Sequence, residues 1–314
     1  MRLATFASRK QPHLVRPGVL TSQGLLDLTV LADLPSVDGA PVRSMKNFLA
    51  TGEEGLSLVR KTLADITTNG AGRYADGLHA EADVHLLPPV PDAEKFLCVG
   101  KNYRTHLAEL QRTGLIKELP NEPTGFIKLN SCLTGHDSVV VKPAVVQELD
   151  YEPELVFVLG KAAFQVPAER AFEHVVGITL LNDLTCRETQ KREVVSGSRF
   201  WTAKNAPGFG PLGPYIVTMD EVPDPYDLWV SCRVNGEERM RVNTSEQIWK
   251  LPDIVAHFSR LLPLKPGDMF STGAPGGVAV GKPNAAELFL KDGDVVECVI
   301  DQPDLVLRNR IVSP

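Results

Sequence analysis

No apolar run in this chain comes near the roughly 20 residues that a bilayer-spanning helix requires. The longest, such as Val175 to Leu181, are far shorter, so a helical membrane anchor is not expected. Basic charge is not in excess: 33 Lys and Arg stand against 39 Asp and Glu, and a net charge of −6 offers no footprint for nucleic acid. The five cysteines, Cys98, Cys132, Cys186, Cys232 and Cys298, are scattered through apolar runs and contain no Cys-x-x-Cys pair, which argues against zinc and redox motifs. Buried, reduced thiols suit a cytoplasmic protein. The N-terminus, Met1-Arg2-Leu3-Ala4-Thr5-Phe6, lacks the apolar stretch of about 7–15 residues that marks a secretory signal and reads as a first strand. Internal repeats and low-complexity tracts are missing too. His13, His79, His85, His136, His174 and His257 show no metal-ligand spacing and are expected to be structural or exposed.

What is present suits one large domain with a smaller companion: 314 residues, 43% of them hydrophobic, and a mean hydropathy of −0.06. Residues 1–88 read as a small α+β unit, with strands flanking the turn at Thr21-Ser22-Gln23 and a helical pattern from Ser44 to about Thr67. The stiff run Leu86-Leu87-Pro88-Pro89-Val90-Pro91 places the boundary, and residues 89–314 form the second domain. There, strand-like runs recur at Phe96–Val99, Val139–Val141, Leu155–Leu159, Val175–Leu181, Tyr215–Thr218, Leu228–Val234, Met269–Ser271 and Val295–Ile300. Helices are expected only at Tyr103 to about Gln111, Ala168–Glu173 and Ile248–Leu262. The fold class is mainly β with some α, without the βαβ rhythm of a nucleotide-binding sheet.

The stretch richest in chemistry is Leu149-Asp150-Tyr151-Glu152-Pro153-Glu154-Leu155-Val156-Phe157-Val158-Leu159. Period-two alternation puts Glu152 and Glu154 on one face of an extended segment, and Asp183 ends the apolar run that starts at Val175. Glu-x-Glu alone also fits the solvent face of a half-exposed strand, and Asp183 also fits a turn or cap. If the three converge near the core, their mutual repulsion calls for a cation, and all-oxygen ligation selects Mg2+ or Mn2+ first and Ca2+ next. His106 and Glu109, three apart, share one face if Tyr103 to Gln111 is helical. That arrangement suits either a surface pair or an imidazole activated by a carboxylate. Arg187 and Gln190 follow Asp183 by four and seven residues and would share its face on a helix begun after Asn182. A glycine-rich turn, Ser271 to Val278, could bring backbone N–H groups close to a ligand, although it lacks the ending of a phosphate-binding loop.

In order and spacing, these motifs resemble the fumarylacetoacetate hydrolase family. The resemblance runs from Phe96-Leu97-Cys98-Val99-Gly100-Lys101-Asn102-Tyr103-Arg104-Thr105-His106-Leu107-Ala108-Glu109, through Leu149–Leu159 and Asn182-Asp183-Leu184-Thr185-Cys186-Arg187-Glu188-Thr189-Gln190. It continues in Lys204-Asn205 with Gly210-Pro211-Leu212-Gly213-Pro214, in Val234-Asn235-Gly236-Glu237, and in Pro266 to Val278, so that it covers about residues 90–314. It implies a mixed β-roll, usually a homodimer, with Glu152, Glu154 and Asp183 as metal ligands. It also implies His106 and Glu109 as an acid/base dyad on a mobile segment, here about Thr105 to Pro120, and Lys204 as a catalytic cation. Arg187, Gln190 and Thr272 would then bind the substrate. Two departures, Ala274 where threonine is more usual and Pro207-Gly208 after Lys204, bear on pocket shape. The expected reaction is metal-dependent hydrolysis of a C–C bond in an acylpyruvate-type 2,4-diketo acid. The alternative is decarboxylation or tautomerisation of a related 2-oxo diacid on the same site.

Overall fold

The strand Pro153–Leu159 is buried along its whole length, and its alternation explains why the protein is layered as it is. Leu155, Phe157 and Leu159 enter one core with Val230, Cys298, Ile300, Leu305 and Leu307. Val156 and Val158 face the other way, into a core with Met45, Phe48, Leu49, Val59 and Ile66. A strand apolar on both faces must be covered on both. Here a second sheet covers one side and the N-terminal helices the other.

This computed structural model describes residues 1–112, 121–197 and 201–314. Of the segment expected to be mobile, Thr105 to Pro120, the part from 113 onward lies outside the described residues. Among the described residues the main sheet has 12 strands, and its central path places Gly210–Thr218, Val175–Asn182, Pro153–Leu159, Met269–Ser271 and Phe96–Gly100 side by side. Pairing along this path is antiparallel until Met269–Ser271 meets Phe96–Gly100 in parallel. A 5-stranded sheet runs Glu237–Asn243, Trp229–Val234, Val295–Ile300, Leu305–Val312 and Val139–Val141. The mixed, sheet-rich α+β class matches the expectation.

Residues of the N-terminal segment enter the same main sheet. The strand Arg2–Ser8 pairs with Gly210–Thr218 through Arg2↔Val217 and Leu3↔Ile216, and the Met1 ammonium lies 2.7 Å from Glu221. Residues on either side of position 88 thus contribute strands to one continuous sheet. The hairpin around Thr21-Ser22-Gln23 forms between Gln11–Thr21 and Gly24–Asp27.

Helix boundaries differ from the sequence reading for local reasons. The pattern from Ser44 to Thr67 splits into Met45–Ala50 and Gly52–Asn69, because Thr51 ends the first helix and Gly52 takes a φ of +63°, which suits glycine. The expected helix Ile248–Leu262 shortens to Leu251–Ser259: Pro252 starts it, since a proline fits the first turn, and the exposed Leu261 and Leu262 fall beyond it. Ala168–His174 is a 3-10 segment. Thr124–Ile127, Glu237–Asn243 and Leu305–Val312 are strands that apolar runs did not announce, because charged residues or glycine interrupt them.

Phe157→Ala deletes a fully buried ring between the two sheets and should cost about 3–5 kcal/mol. Urea denaturation should show a lower midpoint at unchanged slope; a loss under about 1 kcal/mol would contradict packing through this strand.

Candidate metal centre and acid/base dyad

Strand direction assembles the site. Pro153–Leu159 runs antiparallel to both Val175–Asn182 and Met269–Ser271, so its start meets the ends of both neighbours. Glu152 and Glu154 therefore lie beside Asp183, and Thr272 follows at the same end. The Asp183 N–H donates to the Glu152 carbonyl at 2.8 Å, and the Glu152 N–H donates to Asn182 Oδ1 at 3.0 Å. All three carboxylates are buried, and one oxygen from each lies within 4.8 Å of the others. A solvent face for Glu152 and Glu154 is thereby ruled out.

Buried carboxylates this close need countercharge. Lys204 Nζ donates to both Glu152 and Asp183, and Lys128 Nζ donates to Asp183 Oδ1 at 2.7 Å. Arg187 lies behind them. Its Nε donates to Asp150 Oδ2 at 2.8 Å, its Nη1 donates to Gln190 Oε1 at 2.9 Å, and its Nη2 stands 2.6 Å from Glu152 Oε1 without hydrogen-bond alignment. Burial works against the charge on Glu152, but Lys204 and Arg187 outweigh it and hold its carboxyl well below the usual range. Glu154 goes the other way. Burial, with Asp183 beside it, pushes its carboxyl well up, and Ser271 Oγ donates to it. Lys204 stays an ammonium because Asp183 and Glu152 overcome its burial. Three converging buried carboxylates, one of them pushed toward its neutral form by burial and by Asp183, fit a hard divalent ion bound through oxygen.

His106 and Glu109 lie together on one helix. In the helix Arg104–Arg112, His106 Nδ1 lies 3.4 Å from Glu109 Oε2. Asn102 holds the chain just ahead of this helix, its Nδ2 donating to the carbonyls of Thr272 at 2.9 Å and Trp249 at 3.0 Å.

Three expectations need correction. Asp183, Arg187 and Gln190 do not share a helical face, because Thr185–Cys186 is a short strand and the helix begins at Arg187. Gln190 reaches Arg187 nonetheless, through their i,i+3 bond. The glycine turn gives its N–H groups to the dyad helix: Gly277 donates to Glu109 Oε1 at 2.8 Å and Gly276 to Thr105 Oγ1 at 3.2 Å. Thr272 is fully buried and donates its hydroxyl to the Leu155 carbonyl at 3.0 Å, which leaves only its lone pairs for another partner.

Sequence reasoning missed Lys128, Asp150 and Ser271. Lys128 is fully buried, and besides Asp183 it donates to the carbonyls of Lys204 and of Phe209, the latter at 2.8 Å. A lysine within the apolar stretch Gly125-Phe126-Ile127-Lys128-Leu129 was the available signal. Asp150 accepts the N–H groups of Ala279 at 2.9 Å and Val280 at 3.0 Å as well as Arg187. It anchors the segment that follows the glycine turn.

Residues 95–312 match the family model described as fumarylacetoacetate (FAA) hydrolase C-terminal. The human mitochondrial oxaloacetate tautomerase FAHD2A is 36% identical over 314 aligned residues, covering 99% of this chain and 92% of that protein. A candidate HpcE protein of Mycobacterium smegmatis has a similar structure, with a TM-score of 0.83 and 29% identity over 100% of this chain and 99% of that one. Maleylpyruvate hydrolase from Sphingobium sp. SYK-6, in complex with manganese(II) and pyruvate, superposes with a TM-score of 0.73 at 28% identity, over 100% of this chain and 99% of that one.

Changes behind a metal's ligands typically weaken binding ~10–100-fold, so Arg187→Lys, which loosens Glu152, should fall in that range and Asp183→Asn should exceed ~100-fold. Calorimetric titration with Mn2+ measures both. Unchanged affinity in Asp183→Asn would remove that residue from the site.

Proposed function

The chain belongs to the fumarylacetoacetate hydrolase family, and from that premise we propose that it is a divalent-metal-dependent tautomerase of a short 2-oxo diacid of the oxaloacetate kind. The observation that carries this reading is the 36% identity to an oxaloacetate tautomerase along 99% of the chain. The hydrolytic C–C cleavage put first in the sequence reading thereby becomes the second reading. It keeps support from the likeness to maleylpyruvate hydrolase, because the same dyad could activate water.

Enol–keto interconversion takes the proton from the enol oxygen and delivers one to the carbon two bonds away, while C=C becomes C–C and C–O becomes C=O and no σ bond between heavy atoms is broken. It asks for a base at the carbon, positive charge at the oxygens and little water. Glu109 holds Nδ1 of His106, which leaves Nε2 to exchange the proton. The Lys204 ammonium, fixed by Glu152 and Asp183, stabilises negative charge on the enol oxygen. Arg187, ion-paired with Glu152 at 2.6 Å and donating through Nη1 to Gln190, would meet the substrate carboxylate from beside that acid, with Gln190 keeping the fork in plane. A divalent cation held by Glu152, Glu154 and Asp183, Mg2+ or Mn2+ before Ca2+, would supply Lewis-acid polarisation of the 2-oxo group. Thr272 contributes its position beside Glu154 and its lone pairs.

The homodimer implied by the resemblance and a cytoplasmic location, supported by five buried, unpaired thiols, belong to the same proposal.

With Mg2+ or Mn2+ added, the protein should speed decay of the enol absorbance of oxaloacetate without releasing pyruvate. His106→Ala should lower kcat by ~10²–10⁴-fold and keep its metal. Pyruvate release from acylpyruvates, with enol decay at the buffer rate, would assign the second reading instead.

A further inference from the structure

We infer that the turn Gly276-Gly277 together with Gly281 is the positioning element of the dyad: its backbone fixes the Glu109 carboxylate and through it the His106 ring. This rests on the dyad reading above and goes beyond it, because it makes three glycines outside the dyad helix responsible for where the proton is exchanged.

The two oxygens of Glu109 are divided. Oε1 accepts the Gly277 N–H at 2.8 Å, while Oε2 faces His106 Nδ1 at 3.4 Å. One helical turn earlier, Thr105 Oγ1 accepts the Gly276 N–H at 3.2 Å. Two adjacent backbone donors thus grip one face of the helix at two points. Approach this close requires the missing side chains. A Cβ on Gly276 would lie 2.8 Å from Thr105 Cβ and 3.0 Å from the His106 nitrogen, and one on Gly277, at a φ of +105°, would lie 2.7 Å from Met240 Cβ. Gly281 closes the other side: a Cβ there would lie 2.8 Å from both Cδ and Oε2 of Glu109. The glycine-rich stretch is therefore shaped around the Glu109 carboxylate. Asp150 fixes its far end through the N–H groups of Ala279 and Val280.

Gly281 gives a selective test, since its φ is not in the left-handed region and alanine there displaces the end of a flexible side chain and leaves the backbone in place. Misplacing a reacting group by about 1 Å can cost ~10²-fold, so Gly281→Ala should lower kcat by ~10–100-fold and leave KM within ~3-fold. Residues that act through one another are non-additive, so in a Glu109→Gln background the same substitution should change kcat by less than ~3-fold. An equal loss in both backgrounds would reduce Gly281 to a structural role and overturn the proposal. So would a normal kcat for Gly281→Ala beside an impaired Glu109→Gln. A wild-type kcat for Glu109→Gln alone would instead bring down the dyad reading, and the proposal with it. Should Gly281→Ala fail to fold, Thr105→Val, which removes the acceptor of Gly276 at similar volume, must show the same kcat-selective, background-dependent loss.

Discussion

Three carboxylates held within 4.8 Å of one another beneath the protein surface set the terms for the rest of the site. Left unpaired, each buried charge would cost several kcal/mol. The protein answers with Lys128, Lys204 and Arg187, all buried and each committed to at least one of the acids. Arg187 is held by Asp150, which in turn accepts the backbone of Ala279 and Val280. One line of contacts therefore leads from Glu152 through Arg187 and Asp150 to the segment beside His106 and Glu109, so that the candidate metal ligands and the candidate dyad share one scaffold.

This dependence explains what the sequence allowed one to read. Pro153–Leu159 and Val175–Asn182 were legible because strands covered on both faces carry uninterrupted apolar residues, and their ends located the acids. The spacing of His106 and Glu109 was legible as a helical pair. The cations were harder to place. A lysine in a sequence is a solvated charge by default, and only the fold shows that Lys128 turns inward to Asp183 and two carbonyls. The glycine turn was read as bringing N–H groups to a ligand, but those of Gly276 and Gly277 go to Thr105 and Glu109, about 170 residues earlier in the chain. Leu305–Val312 was missed because its alternate positions carry solvent-facing charges, and Glu237–Asn243 because only Met240 in it is buried and charged residues dominate the rest.

A buried three-acid centre does not by itself select a reaction. Tautomerisation and hydrolysis both need negative charge stabilised on the oxygen next to a substrate carboxylate, and under the proposed reading Lys204 and Arg187 would serve either. They part at the dyad, where the proton goes to carbon in one reaction and leaves water in the other. Control of His106 is therefore where specificity between family chemistries would act, and the geometry that holds Glu109 bears directly on it.

Anomalous diffraction from crystals of the protein grown with Mn2+ tests the central claim most directly. The account predicts one strong peak per chain, enclosed by Glu152, Glu154 and Asp183, with the Lys204 ammonium turned away from at least one of the two carboxylates it now joins. A peak elsewhere, or none there while Lys204 still bridges Glu152 and Asp183, would contradict it.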